Sequence, residues 1–314
     1  MSSMNRRVVR HVDIAICTWN RCEMLAEALT SVCRMRIPAG VTANVIVVDN
    51  NSTDGTSRYL EQFASTIGEK VSVKILKESQ QGHTVCRNRA IESATGDLML
   101  WTDDDIIASE DWLERYLEFV NNDSDSSFWG SVIEPEFPAG MPRWILENWN
   151  ELKGCFADRN LGSEPLGFHT NRLPYGANFA ILTEIQKQYP FDSLLGRRGD
   201  AVMGEDEFDL FRRLLDDGHS GTWIPQAKIW HQIPASRSSQ KYVYDYFVGQ
   251  GRALVANNQG WSQEVGELKS ESHSEFRKYK LKRLFSKSNV WVSHMIRSGL
   301  ARGQWEAIRD SNAK

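Results

Sequence analysis

The chain reads as an α/β protein, a mostly parallel sheet with helices on both faces, and three observations predict this. "VDIAIC" (12–17), "VIVV" (45–48), "VSVKIL" (71–76) and "DLMLWT" (97–102) are largely apolar runs of strand length, as strands covered on both faces are. The stretch after each carries apolar residues at helical spacing. Such strands alternating with amphipathic helices point to crossover connections rather than hairpins.

After the first strand, Leu25, Leu29, Val32 and Cys33 recur at helical spacing, and Asn20 precedes Glu23 by three residues as in a capping box, so a helix is expected from near Arg21. The strand at 45–48 leads through a polar loop to a helix with Leu60, Phe63 and Ala64 inward. "HTVCRNRAIESA" supplies the next helix, and "SEDWLERYLEFV" places Trp112, Leu113, Tyr116, Leu117 and Val120 along one face. Further on, "FWGSVIEPEF" (128–137) and "YGANFAILTEI" (175–185) read as strands separated by an irregular insert rich in Trp, Gly and Pro; loops of that length are usually functional or mobile. "GEDEFDLFRRLLDDG" reads as a helix with Phe208, Phe211, Leu214 and Leu215 inward and Gly218 at its C-terminal cap. "TWIPQAKIWH" (222–231) is expected to be a strand ending on a histidine, and from Gln240 onward the pattern is helical.

With 314 residues, 41% hydrophobic and 25% charged, the chain can bury a sizeable core. A net charge of -4 gives no overall field that would attract nucleic acid, so no nucleic-acid partner is expected. The five cysteines (Cys17, Cys22, Cys33, Cys86, Cys155) form no CxxC pair, and an odd number suits a reduced compartment. The N-terminal basic residues precede too short an apolar run for a signal peptide, and no stretch reaches the ~18 apolar residues of a membrane span. A cytoplasmic protein is expected, peripheral to the membrane at most.

In a parallel sheet, ligands bind beyond the carboxyl ends of the strands, which singles out "TWNR" (18–21), "DNNSTDGT" (49–56) and "TDDDI" (102–106). At roughly 5 Å and an effective dielectric near 20, each neighbouring pair within Asp103, Asp104 and Asp105 repels by about 3 kcal/mol. A solvated acidic loop would explain an isolated triplet. After a buried strand, a divalent cation arriving with a nucleoside diphosphate explains it better, since Mg²⁺ typically takes one or two carboxylates plus phosphate oxygens and water. Asp49 ends a strand at the same edge, where it could accept hydrogen bonds from a nucleobase. Neither GxGxxG nor GxxxxGK[ST] occurs, which argues against dinucleotide and P-loop chemistry.

"ICTWNR", "VIVVDNNSTDGT", "GHTVCRNRAIESATGDLMLWTDDDI" and "GEDEFDLFRRLLDDG", in this order and spacing, resemble the family 2 glycosyltransferases with the glycosyltransferase-A fold, over about residues 10–235. The resemblance implies an inverting transfer from a nucleotide-sugar, a UDP-sugar ahead of other donors, assisted by Mn²⁺ or Mg²⁺. It implies a nucleotide-binding half at 10–105 and an acceptor half at 106–235, leaving a helical, basic region at 236–314. Thr18, Asn20 and Arg21 match the first nucleotide-contacting loop, Asp49 the base-binding acid, and Asn51 a position near the nucleoside. Arg87 and Asn88 match a segment whose arginine lies near the nucleotide. Asp103 and Asp105 are the outer residues of the DxD motif, Asp103 toward ribose or metal and Asp105 the preferred metal ligand; Asp104 fits a shifted reading of the motif.

Glu205 and Asp206 resemble the family's catalytic pair, with Asp206 ahead as the general base an inverting displacement needs; acidic residues opening a helix are the plainer reading. His231 matches a third metal ligand, and Arg237 could hold the diphosphate with its bidentate fork. Tyr175, Gly176, Ala177 and Asn178 resemble a strand near donor sugar and acceptor. Trp144 offers a face for a sugar ring, although its spacing with Trp149 also fits core packing. Expected acceptors are glycan or lipid-linked hydroxyls. The basic tail, where Leu284, Phe285, Trp291 and Trp305 accompany lysines and arginines, is read either as a solvated hairpin or as a peripheral membrane contact. Two other functions compete: a sugar-phosphate nucleotidyltransferase, which would usually show a Gly-rich basic loop where this chain has "TWNR", and a non-catalytic nucleotide-sugar binder, which intact acidic motifs argue against.

Overall fold

Strands apolar on both faces need a cover on each side, and the computed structural model supplies it; the structure describes residues 7–64, 71–193, 195–196, 206–256 and 265–311. In chain order the elements are β1 (His11–Thr18), α1 (Cys22–Arg34), β2 (Thr42–Asp49), α2 (Thr56–Ala64), β3 (Val71–Lys77), α3 (His83–Ser93), β4 (Leu98–Thr102), β5 (Ile106–Ala108), α4 (Trp112–Val120) and β6 (Ser126–Glu136). There follow α5 (Arg143–Leu146), α6 (Trp149–Leu152), β7 (Leu166–Gly167), β8 (Asn178–Leu182), α7 (Thr183–Gln188), α8 (Asp206–Asp216), β9 (Ser220–Gln232), α9 (Gln240–Ala256), α10 (Val265–Phe285) and α11 (Ser288–Ser311).

Among the described residues one nine-stranded sheet runs in the order β3-β2-β1-β4-β8-β6-β9-β5, with β7 on β9. β1 pairs in parallel with both β2 and β4, and β2 with β3. The chain therefore leaves β1 to one side, through β2 and β3, and returns on the other with β4. A crevice opens at such a reversal of strand order, outside the carboxyl ends. Side chains alternate between two cores: Ile14, Ile16, Val45 and Val47 pack with Leu25, Leu29 and Leu60 on one face. Ala15, Ile46, Val48 and Trp101 pack with Cys86, Ala90, Phe211 and Leu214 on the other.

Several local expectations change. The run 175–185 is not one strand: β8 stops at Leu182 and α7 follows without a loop. The short strand β5, which no periodicity announces, pairs antiparallel with β9. The C-terminus of α8 ends as predicted: Gly218 has φ +85, His219 N donates to Leu214 O (2.9 Å) and Gly218 N to Leu215 O (3.1 Å), the paired bonds of a Schellman cap.

The chain divides into two compact units, and 137–156 groups with 233–311 rather than with the sheet. The division expected at 235 thus misses this insert. In the second unit Ile145, Leu152 and Phe156 form a core with Val243, Tyr279, Val292 and Met295, apolar positions far apart in sequence. Among the described residues no helix is long and apolar enough to cross a membrane.

Close packing in the sheet unit leaves little slack where Gly221 of β9 faces Phe128, which stacks on Phe168 and Phe211. A Cβ at 221 would lie 2.2 Å from the Phe128 ring. Gly221→Ala should lower stability by about 1–3 kcal/mol, read as a shift in the urea midpoint at unchanged slope.

Candidate active site

The acidic triplet lies where β4 ends beside β1, since Ile16 pairs with Thr102. Asp104 and Asp105 are 4% and 2% exposed, while Asp103 is half-buried. Arg21, at the start of α1, turns back over them: its Nη1 donates to Asp104 Oδ1 (2.8 Å) and to Asp105 Oδ2 (2.9 Å). Thr18 Oγ1 donates to the other oxygen of Asp104 (2.8 Å). Burial pushes the Asp104 carboxyl up, which Arg21 opposes and Asp105 reinforces, leaving it above the usual carboxylate range. The Arg21 guanidinium is raised in turn, chiefly by Asp104. Asp104 thus ties the first loop to the triplet, a role spacing did not assign.

The antiparallel register of β5 and β9 sets Ile106 opposite His231. Gln232 N donates to Asp105 O (2.8 Å), and His231 Nε2 lies 3.2 Å from Asp105 Oδ1. A carboxylate and an imidazole side by side suit Mn²⁺. Among the described residues no three His, Cys, Asp or Glu side chains converge tightly enough to hold a metal by themselves. The donor set instead fits a cation sharing its coordination with phosphate oxygens and water.

Asp49, 2% exposed at the end of β2, accepts Ser52 N (3.0 Å) on one oxygen and Ser57 Oγ on the other. Asn20 does not cap α1, whose N-cap Arg21 makes no side-chain capping bond. With φ +52, Asn20 instead turns its Oδ1 to Thr53 N (2.7 Å) and Asp54 N (3.3 Å), and its own N donates to Ser52 Oγ (3.0 Å). The first two loops are therefore laced together, with Asn51 exposed at φ +60. Asn50, which sequence reasoning missed, fastens the third loop: its Nδ2 donates to Glu78 O (3.2 Å) and Gln80 O (2.7 Å), and its Oδ1 accepts Gly82 N (2.9 Å). Its place directly after an apolar strand was the available signal, and in the structure it is 5% exposed.

A second charged group joins α3 to α8. Arg87, 3% exposed, donates to Asp206 Oδ2 (2.9 Å) and lies 3.6 Å from Glu207 Oε2, its guanidinium over Phe191 (4.8 Å) and Trp101 (5.8 Å). Arg87, which the resemblance sets near the nucleotide, is paired here with Asp206 and Glu207. His83 Nδ1 stands 3.4 Å from the same Asp206 oxygen. Burial works to raise the Asp206 carboxyl, but Arg87 and His83 outweigh it and hold the group well below the usual range. Burial and the Asp206 charge push Glu207 up to about 8. Glu205 lies outside the described residues.

Gly176 is required here, because a Cβ would come 2.6 Å from Arg87 Nη2 and 3.1 Å from Glu207 Oε1. Tyr175 sits under the Arg159 guanidinium (4.6 Å) and edge-on to Phe208 of α8 (5.9 Å). Asn178 is a correction: it is fully buried, its Oδ1 accepts Trp112 Nε1 and Tyr116 OH (both 2.9 Å), and its Nδ2 donates to Val132 O and Ala227 O (both 2.8 Å). All four hydrogen-bonding positions of the amide are used, leaving none for a sugar. Two predicted residues belong to the second unit: Trp144 packs on Trp291 (5.4 Å between centroids), and Arg237 lies in the 3-10 turn Ala235–Ser238.

Among curated proteins the chain is 27% identical to the succinoglycan biosynthesis protein ExoM of Rhizobium meliloti over 233 residues, covering 73% of this chain and 69% of that one. It is 24% identical to a glucosyl-dolichyl phosphate glucuronosyltransferase of Haloferax volcanii, covering 82% and 77%. The fold matches a mannosyltransferase from Pyrobaculum calidifontis, solved with GDP-Man and Mn²⁺, at a TM-score of 0.62 and 15% identity over 95% of this chain and 87% of that one. The architecture is the glycosyltransferase-A fold. The family model described as Glycosyl transferase family 2 matches residues 13–172, half of the chain, and the chain therefore belongs to that family and is a glycosyltransferase.

Proposed function

We propose that the enzyme moves a sugar from a nucleotide-sugar donor to an acceptor hydroxyl with inversion, using a divalent metal at Asp105 and His231 and Asp206 as general base. One observation carries this: the Arg21-compensated carboxylates and His231 meet at the carboxyl edge, at the reversal of strand order. A mannosyltransferase of the same fold is solved with GDP-Man and Mn²⁺. The relative named for glucosyl-dolichyl phosphate supports a lipid-linked acceptor, and the one named for succinoglycan biosynthesis supports a glycan.

Thr18, Arg21 and Asp49 form the donor side, with the base toward Asp49 and the diphosphate toward Asp103 and Asp105. A bound Mn²⁺ or Mg²⁺ would supply charge stabilisation to the departing diphosphate. As that leaving group gains charge, Arg21, now on Asp104 and Asp105, would add a further positive charge beside it. On the acceptor side, two adjacent carboxyls are driven apart: Asp206 stays ionised, whereas Glu207, pushed up to about 8, holds a proton at neutral pH. Divergent environments of this kind assign roles; here the ionised Asp206 takes the hydroxyl proton. Arg87 keeps that carboxylate charged and oriented, and is a positioning residue.

If Asp105 ligates the metal, Asp105→Ala abolishes Mn²⁺-dependent binding of a nucleoside diphosphate in calorimetry, and undiminished binding would sink the assignment. Asp206→Asn is expected to retain donor affinity while transfer falls by about a hundred- to ten-thousand-fold, measured as kcat in single-donor turnover. Glu207 keeps its proton to about pH 8 in the folded state against 4.5 ordinarily, so folding takes up a proton between those values and stability falls as pH rises through that window. Glu207→Gln should flatten that decline in urea midpoints measured from pH 5 to 8.

A further inference from the structure

We propose that the C-terminal end of α10, with the turn into α11, is a docking surface for an anionic lipid bilayer. Leu281, Leu284 and Phe285 are 60%, 65% and 83% exposed. They are spaced i, i+3, i+4, so they share one face of the helix. Val290, just past the turn, is 37% exposed. Leu146, 63% exposed, borders the same turn: its chain neighbour Glu147 accepts Ser288 Oγ at the start of α11, and Asn148 Nδ2 donates to Ser288 Oγ (3.0 Å).

What covers these side chains is indicated by their flanks. Between Phe276 and Lys287 stand Arg277, Lys278, Lys280, Lys282, Arg283 and Lys287, without one acidic residue, in a chain whose net charge is -4. Lys278 pairs with Glu275, and Arg283 donates to Gln240 Oε1 (2.6 Å). Lys280 lies over the Phe276 and Tyr279 rings. A second copy of the chain would bring the same positive charge against this patch and be repelled. Anionic headgroups complement it, with Leu281, Leu284 and Phe285 entering the acyl boundary and the long basic side chains reaching up to phosphates.

The structure also moves this surface from where the sequence placed it. Trp291 is 6% exposed in the second unit's core, and Trp305 packs against Leu268, Ala301 and Ile308. Trp291 is closed to a bilayer and Trp305 is partly covered, so the most exposed apolar contact narrows to one helix end. Docking there would hold a transferase where lipid-linked hydroxyls lie, but it rests on residues outside the sugar-transfer site.

Sedimentation of the full chain with vesicles tests this without donor or acceptor, so failure of the transfer reading leaves the result unmoved. The wild type should sediment with phosphatidylcholine vesicles containing about 30% phosphatidylserine, stay in solution with pure phosphatidylcholine, and be released at about 0.5 M salt. Replacing Leu281, Leu284 and Phe285 with Ser should lower the bound fraction at least about five-fold. A second variant, Lys280→Glu with Lys282→Glu and Lys287→Glu, should do the same while leaving the apolar residues in place. Equal binding by either variant, or no binding by the wild type, overturns the proposal. So does a wild-type dimer that the serine variant converts to monomer in light scattering, since the patch would then be an interface between copies.

Discussion

The site rests on the neutralisation of Asp104 and Asp105 by Arg21. Two carboxylates buried side by side cannot both remain charged without a cation, and removing one partner of such a buried pair typically costs about 3–5 kcal/mol. Arg21 reaches them because β1 and β4 are adjacent, so the loop that leaves β1 overhangs the loop that leaves β4. Asp104 and Thr18 complete the link. The parallel pairing, the turn at Asn20 and the placement of Asp105 beside His231 all meet in this cluster.

A second buried pair, between α3 and α8, repeats the device. Arg87, lying over the Trp101 and Phe191 rings, holds Asp206 across from α3 to α8, and Gly176 leaves the space its guanidinium fills. The two arginines act differently. Arg21 is about one-third exposed and can turn toward a ligand, whereas Arg87 is sealed in. One is suited to meet phosphate, the other to keep a carboxylate ionised in a site that would otherwise protonate it.

The loops show the same economy of polar groups. Asn20, Asn50 and Asp49 satisfy backbone N–H and C=O groups of neighbouring loops, so the carboxyl edge is pre-organised before any ligand arrives. Asn178 does the corresponding work inside the sheet, joining α4 to β6 and β9 through four hydrogen bonds. A polar residue in a motif can therefore be there to build the site rather than to touch the substrate.

The four parallel strands, their helices, the loops at the carboxyl edge and the acidic triplet were legible from sequence alone, because hydrophobic period and strand polarity are local properties. The resemblance set His231 at the acidic motif as a metal ligand, and in the structure it lies beside Asp105. Contacts between distant segments were not legible: that Asp104 is spoken for by Arg21 and Thr18, that Arg87 pairs with Asp206, that Asn178 is consumed by the core, and that 137–156 joins the C-terminal helices. Each depends on which side chains meet across the sheet or within the second unit, separated by dozens of residues. Residue type states what a group can bond to; only the tertiary structure decides which of its partners is within reach.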